Sequence, residues 1–450
     1  MVAPDTQMKN LLVLHLESIT RQRLSVFGSS FPNTIRFMQD ALVFDNFFSS
    51  ATSTLMVVTS LFHSNDFEFD TASEFEGMRP AANNRNLFSI LKNHGYNADF
   101  ICLNAFHATS ETKFAAWPDD LPPVWGTNDF PTLFDRFDKL TEAPPFAIYV
   151  WDLVTHIEHS LALAPFSSGL TDQIQRACSV ADDAVGEMLA ILERKGLLDN
   201  TTVIIYGDHG DDYWTHGFKG GMVHATEPYT QITWTPLAIR DPALTPGTNM
   251  KLASTIDIAP TCLTLLGIDE PNEFAHSGMN LLTQAPELVF SQNFTANQPD
   301  NQVLGIVKAF SVIDNTYILL VSSRGLEMYA YRLDPGNHCN LLHFFNLLPD
   351  GMLSLLKRHG AAGHFRAALQ DNPGAIASIS AHFEKLRDAL YEHVAAKRAY
   401  IMERSIEPVI AIDPHCFAFI ADEARNAPSG SEVHSAPQTS TTSNYSFRMV

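Results

Sequence analysis

Basic residues are scarce: Lys and Arg number 29 against 50 Asp and Glu, a net charge of -21 over 450 residues. A surface this acidic repels a phosphate backbone, which argues against nucleic acid as a partner and suits a protein that binds cations. Cysteine is scarcer still. Cys102, Cys178, Cys262, Cys339 and Cys416 make an odd set without a C-x-x-C pair, which excludes a disulfide framework or zinc-ribbon spacing and points to a reducing compartment. Long apolar runs are absent as well. The opening "MVAPDTQMKNLLVLHLES" is interrupted by His15 and Glu17, too early for a signal peptide core or a membrane span. No membrane span is expected elsewhere, and the expected location is the cytoplasm.

What is present is a large apolar share, 45% of residues, ample for one large or two moderate domains. Short apolar runs, "NLLVLHL" (10–16), "ALVFDNFF" (41–48), "NADFICL" (97–103), "PFAIYVW" (145–151), "TTVIIYG" (201–207) and "TPLAIRD" (235–241), have the character of buried strands in a largely parallel sheet. Helical spacing falls between them at 86–95, 171–198 and 253–267. This alternation predicts an α/β fold. From about Pro286 the texture changes to antiparallel strands followed by a long helix over 381–404. The expected organisation is an α/β catalytic core over 1–285, a smaller C-terminal α+β region over 286–424, and a polar, Ser/Thr-rich disordered tail over 425–450.

In open α/β sheets ligands collect at the carboxyl ends of the strands. Four such ends carry chemistry here. Glu17 follows the first run; "SSATST" (49–54) follows the second; Asp152 and His156 follow "PFAIYVW"; Asp208 and His209 follow "TTVIIYG", opening the acidic stretch "DHGDD". Carboxylates crowded at strand ends need a cation or a helix N-terminus nearby. Together with imidazoles and hydroxyls they form the inventory of a metal-activated Ser or Thr site.

The segments "STIDIAPTCLTLLGI" (254–268), "DHG" (208–210) and "LEMYAYRLDPGNHCNLL" (326–342), in that setting and with Glu17 in the first strand loop, resemble the sulfatase branch of the alkaline phosphatase superfamily. The resemblance runs from Leu11 to about Leu342. It implies an α/β sandwich with a metal site at the strand ends. Formylglycine-dependent sulfatases use a Cys or Ser followed by Pro and Arg, whereas residues 49–62 contain neither Cys nor Arg. The stretch "TSTLMVVTSLFHS" (52–64) is more similar to the phosphoethanolamine transferases and phosphodiesterases of the superfamily. There an unmodified Thr attacks phosphorus, which places the nucleophile at Thr54, with Ser50, Thr52 and Ser53 as rivals.

The resemblance implies a metal site of Glu17, Thr54, Asp208 and His209. A second ion would lie among Asp152, His156 and His224; with one ion, His156 and His224 would instead hold the phosphoryl group or protonate the leaving group. One or two divalent ions are expected, zinc or manganese from the mixed oxygen and nitrogen donors, with calcium or magnesium as alternatives. The expected reaction is metal-dependent phosphoryl transfer, by hydrolysis or transfer, on a small phosphate or phosphonate ester. Sulfate-ester hydrolysis or non-catalytic ligand binding are the alternatives. His15 is read as a satisfied core residue, Asp211 and Asp212 as solvated acids or partners of site residues, and His159, His216 and Lys219 as peripheral. The leaving or accepting group and the oligomeric state stay open.

Overall fold

The structure is a computed structural model. It describes residues 8–66, 69–70, 79–80, 86–103, 117–156, 169–216, 223–269, 278–293, 309–322, 325–344 and 375–403. His159, Lys219, Cys416 and the tail expected over 425–450 lie outside the described residues.

In chain order the strands are β1 (Asn10–Leu16), β2 (Leu42–Phe48), a two-residue ribbon of β3 (Phe69–Asp70) and β4 (Arg79–Pro80), β5 (Asn97–Cys102), β6 (Trp125–Gly126), β7 (Phe146–Asp152), β8 (Thr201–Gly207), β9 (Leu237–Arg240) and β10 (Gly247–Ser254). Four more follow: β11 (Val289–Asn293), β12 (Ala309–Ile313), β13 (Ile318–Ser322) and β14 (Gly325–Tyr329). The helices are α1 (Arg21–Val26), α2 (Pro32–Gln39), α3 (Thr54–His63), α4 (Leu87–Asn93), α5 (Phe130–Leu140), α6 (Leu170–Arg194), α7 (Thr230–Thr233), α8 (Ile258–Leu265) and α9 (Ala375–Glu403).

An eight-stranded sheet, in the order β10-β2-β9-β8-β1-β7-β5-β6, forms the centre. Its pairings are parallel except those of β9, which runs antiparallel to both β2 and β8. The short apolar runs are therefore buried strands, and β1 shows why they read as nearly continuous hydrophobic segments. Leu11 and Val13 enter the core on one face, Leu12, Leu14 and Leu16 the core on the other, so both faces are dry. The same two-residue period sends His15 to the Leu11 face and carries it toward the strand's carboxyl end.

The helix expected over 171–198 stops at Arg194. Gly196 takes a left-handed φ of 66°, and the Gly196 and Leu197 amides donate back to Glu193 and Leu192 carbonyls at 2.9 Å each, the geometry by which glycine ends helices. Gly267 does the same for α8, with φ 72°.

The second sheet is antiparallel, β11-β12-β13-β14. Helix α9 covers it through Ile379, Phe383, Leu386, Leu390 and Val394, all buried. Its inner end reaches the main sheet: Gln292 of β11 donates its amide to Ser50 O at 3.1 Å, and Ala51 and Gln292 form a parallel bridge. The loop between β2 and α3 is strapped on other sides too, by Ser49 N to Thr233 O and Ala225 N to Thr52 O, both 2.7 Å. The chain that leads into Thr54 is thus held by three separate segments.

Gly207 closes β8 directly before Asp208. A Cβ there would meet Ile19 O at 2.0 Å and Pro236 Cδ at 2.9 Å, both parts of well-packed backbone or ring. Gly207→Ala is expected to lower stability by roughly 2–4 kcal/mol, as overpacking against fixed backbone does. Urea denaturation checks it; a change within about 0.5 kcal/mol would show that the β8 end yields more than its packing implies.

Candidate active site

The carboxyl ends of β1 and β8 lie side by side, since Leu16 pairs with Gly207. Glu17 and Asp208, the next residues, are therefore brought together, and both are completely buried. Each is held from several directions. Trp151 Nε1 donates to Glu17 Oε2 at 2.8 Å and Ser18 Oγ to Glu17 Oε1 at 3.1 Å. The amides of Ser18 and His209 donate to Asp208 Oδ1 at 2.9 and 2.8 Å. Among the described residues Asp208 Oδ2 has no hydrogen-bond donor in place, yet two imidazole nitrogens face it: His15 Nε2 at 3.1 Å and His209 Nε2 at 3.3 Å.

The electrostatics follow from this crowding. Burial, then the Asp208 charge, push the Glu17 carboxyl pKa well above its usual range. Burial alone would also raise that of Asp208, but His209 and His15 outweigh it and hold it low. Burial lowers His209 to about 4, offset in part by Asp208 and reinforced by His224. Without added positive charge the pair keeps one carboxylate and one proton.

Thr54, the first residue of α3, joins this cluster. Its Oγ1 lies 3.0 Å from His209 Nε2 and 3.4 Å from each Glu17 oxygen. His209 Nδ1 faces Gly210 O at 3.1 Å, which leaves the Nε2 lone pair for a cation or, without one, for the Thr54 hydroxyl. Among the rival hydroxyls, Thr52 Oγ1 is spent on Thr226 O at 3.1 Å, and Ser50 Oγ is buried without a partner. Thr54 is 8% exposed whereas Ser50 and Thr52 are 0%.

His224 and His156 stand beside the cluster. The rings of His209 and His224 are 4.4 Å apart between centroids, and those of His156 and His224 5.3 Å. Asp152 accepts the Val154 amide at 2.9 Å through Oδ1, while its Oδ2 is buried without a partner, and burial raises its carboxyl to about 6. The ligand atoms of Asp152, His156 and His224 do not gather as those of His15, Glu17 and Asp208 do, which all lie within 4.8 Å of one another.

The sequence reading placed His15 differently and left Asp211 and Asp212 open between solvated acids and partners of site residues. His15, assigned to the core, is indeed buried, stacked against Trp151 and Tyr206 with centroids at 5.6 and 5.1 Å, but its Nε2 is part of the acidic cluster. Its Nδ1 is paired with Tyr149 Oη at 2.8 Å. Asp211 and Asp212 are 1% and 0% exposed, so neither is a solvated acid. Asp211 Oδ1 pairs with His224 Nδ1 at 2.9 Å, and Asp212 pairs with His216 Nδ1. Arg23, which nothing in the sequence singled out, is buried behind Asp211, NH1 to Oδ2 4.0 Å. Burial works against an ionised Asp211, but His224 and Arg23 outweigh it and lower its pKa.

A divalent cation fits this donor set. Two buried carboxylates, imidazole nitrogens and an Asp208 oxygen without a hydrogen bond are what such an ion satisfies. Asp208→Ala is expected to strip the tightest ion from protein loaded with zinc or manganese, because it removes one carboxylate from the cluster. Elemental analysis after gel filtration checks it; full occupancy in the variant would place the ion elsewhere.

The chain is similar to known proteins. The family model described as Sulfatase matches residues 9–268. An arylsulfatase from Volvox carteri is 29% identical over 199 residues, 37% of this chain and 30% of that protein. A lipoteichoic acid synthase from Staphylococcus aureus is 33% identical over 101 residues, 20% of this chain and 15% of that protein. The chain thus spans less than a third of the length of these relatives. Among solved structures, a 2-O GAG sulfatase superposes with a TM-score of 0.60 at 16% identity, over 81% of this chain and 93% of that one. The matched span exceeds half of the chain and contains Glu17, Thr54, Asp208 and His209: the protein belongs to the sulfatase family and has the fold of the alkaline phosphatase superfamily.

Proposed function

We propose that the chain is a metal-dependent phosphoryl-transfer enzyme, hydrolase or transferase, acting on small phosphate or phosphonate esters with Thr54 as nucleophile. The observation that carries the reading is the position of Thr54 Oγ1, 3.0 Å from His209 Nε2 and 3.4 Å from both Glu17 oxygens. An unmodified hydroxyl stands there, and residues 49–62 hold neither the Cys nor the Arg of the formylglycine sequence. The similarity to lipoteichoic acid synthase, with the pattern of "TSTLMVVTSLFHS", supports the same reading.

When bound, a divalent ion supplies positive charge that lowers the pKa of the Thr54 hydroxyl and offsets the negative charge of the phosphoryl oxygens. Everything else falls to side chains of this chain. The Thr54 oxygen, its proton passed to solvent, forms a bond to phosphorus as the bond to the leaving oxygen breaks, giving a phosphoryl- or phosphonyl-threonine from which it later departs as the alkoxide. Thr54 is the first residue of a ten-residue helix, whose N-terminal dipole favours an incoming anion. His224, with Nδ1 turned to Asp211, presents Nε2 to the leaving oxygen and gives it a proton. In the second step the same Nε2 takes a proton from the water or acceptor alcohol that attacks phosphorus and frees Thr54. His156, beside His224, is placed to help hold the phosphoryl group.

A single ion is the better reading of the geometry, since Glu17, Asp208 and the imidazoles at their sides converge whereas Asp152, His156 and His224 do not. Zinc or manganese suits the donors.

Phosphate or phosphonate esters are expected to be turned over faster than sulfate esters in a matched panel of chromogenic substrates. Thr54→Ala should lose about three orders of magnitude or more in kcat while keeping its metal. If aryl sulfates are cleaved faster than every phosphate mono- and diester, the substrate class is wrong. If Thr54→Ala retains near wild-type turnover, the nucleophile is wrong.

A further inference from the structure

Beside Asp208 runs a line of hydrogen bonds that the proposed reaction does not use. His15 pairs in register with Trp151 on β7 and with Tyr206 on β8, so these rings leave the sheet on one face, and Tyr149, two residues before Trp151, joins them. None is more than 4% exposed. Tyr206 Oη lies 2.6 Å from Tyr149 Oη, and Tyr149 Oη lies 2.8 Å from His15 Nδ1. At the other end of the ring, His15 Nε2 faces Asp208 Oδ2 at 3.1 Å and Glu17 Oε2 at 3.9 Å. Trp151 and Tyr206 stack on the imidazole from the neighbouring strands, with interplanar angles of 6° and 27°, which holds the ring in place.

One direction of this chain satisfies every hydrogen in it. Burial pushes both phenols well above their usual pKa, so each hydroxyl keeps one hydrogen that needs an acceptor. Among the described residues Tyr206 Oη has Tyr149 Oη as its one hydrogen-bond partner, and it donates there or leaves a buried hydrogen unsatisfied. Tyr149, having accepted from Tyr206, gives its own hydrogen to His15 Nδ1. The reverse direction ends at Tyr206 with a hydrogen and no acceptor. An imidazole nitrogen that accepts carries no hydrogen, so the ring hydrogen of His15 is on Nε2. That settles what distance leaves open. By distance His15, Glu17 and Asp208 suit an ion, their ligand atoms all within 4.8 Å of one another, but a protonated ring nitrogen has no lone pair for a metal.

We propose that Tyr206 and Tyr149 lock His15 as the Nε2–H tautomer, and that His15 serves the metal site as a positioning residue for Asp208 and not as a ligand. Its Nε2–H brings partial positive charge to Asp208 Oδ2 off the line of a good hydrogen bond, which steadies that oxygen and leaves it open to an ion. His209 has the opposite arrangement. Its Nδ1 faces the Gly210 carbonyl at 3.1 Å, an acceptor, so its hydrogen is on Nδ1 and its Nε2 is left as a ligand. The two imidazoles beside Asp208 thus divide the work by tautomer. The inference rests on the reading that an ion sits at Glu17 and Asp208, and is independent of the substrate and of the part played by Thr54.

Long-range proton–nitrogen NMR of the full chain, isotope-labelled at the histidine rings, tests the proposal on protein first stripped with a chelator and then loaded with zinc. His15 is assigned by the signals lost in His15→Gln or, where that variant does not fold, by those displaced in Tyr149→Phe. In stripped protein a bare Nδ1 and a protonated Nε2 are expected for His15. Zinc should leave both as they are while moving His209 Nε2 to the position of a metal-bound nitrogen. Cobalt gives a second readout: its absorption maxima in His15→Gln should match those of the unaltered protein, whereas His209→Gln should displace them. A protonated Nδ1 on His15 in stripped protein would overturn the lock, and a zinc-shifted His15 Nε2 would overturn the positioning role. Zinc that moves neither His15 nor His209 would place the ion elsewhere and remove the positioning role with the metal reading, while the stripped spectrum still decides the lock.

Discussion

Two carboxylates buried side by side constrain the rest of this structure. Glu17 and Asp208 sit at the ends of adjacent parallel strands with no exposure to water, where mutual repulsion and desolvation both disfavour charge. The surroundings answer that problem. Trp151, Ser18 and two backbone amides are aimed at their oxygens, and His15 and His209 face Asp208. A cation would replace the remaining proton and relieve the repulsion, so ion binding and stability are linked.

From that cluster the fold extends outward in two directions. On one side it meets Thr54, held through a loop fastened by Thr233, Ala225 and Gln292. The fastening by β11 gives the second sheet a part in positioning Thr54. On the other side, His224 is oriented by Asp211 and Asp211 is backed by Arg23. An imidazole whose Nδ1 is turned to a buried carboxylate presents a defined Nε2, which is what proton transfer to and from a leaving oxygen requires.

Much of this was legible in the sequence. Strand ends were readable because parallel strands buried on both faces leave uninterrupted apolar runs, and polar residues directly after them stand out. Glu17, Asp208 and His209 were singled out this way, and the structure brings them together. His15 was not, because an imidazole inside an apolar run reads as core; it is core, and only the pairing of β1 with β7 and β8 shows its second nitrogen facing Asp208. Asp211 and Asp212 could be read as solvated acids or as partners of site residues, because loop acids are usually solvated; Asp212 meets His216 four residues on, whereas the contacts of Asp211 with His224 and Arg23 lie between segments and leave no local pattern. Arg23 lies in a six-residue helix without any motif. The antiparallel course of β9 was equally hidden, since a four-residue strand carries no sign of direction.

The central claim is that the Thr54 hydroxyl becomes covalently bonded to phosphorus. Peptide mass spectrometry on enzyme quenched during turnover of a chromogenic phosphate diester tests it most directly. The account predicts a phosphoryl adduct on the peptide that begins α3, localised to Thr54 and absent in Thr54→Ala. An adduct on Ser50, Thr52 or Ser53, or turnover without any adduct under conditions that trap the intermediate, would contradict it.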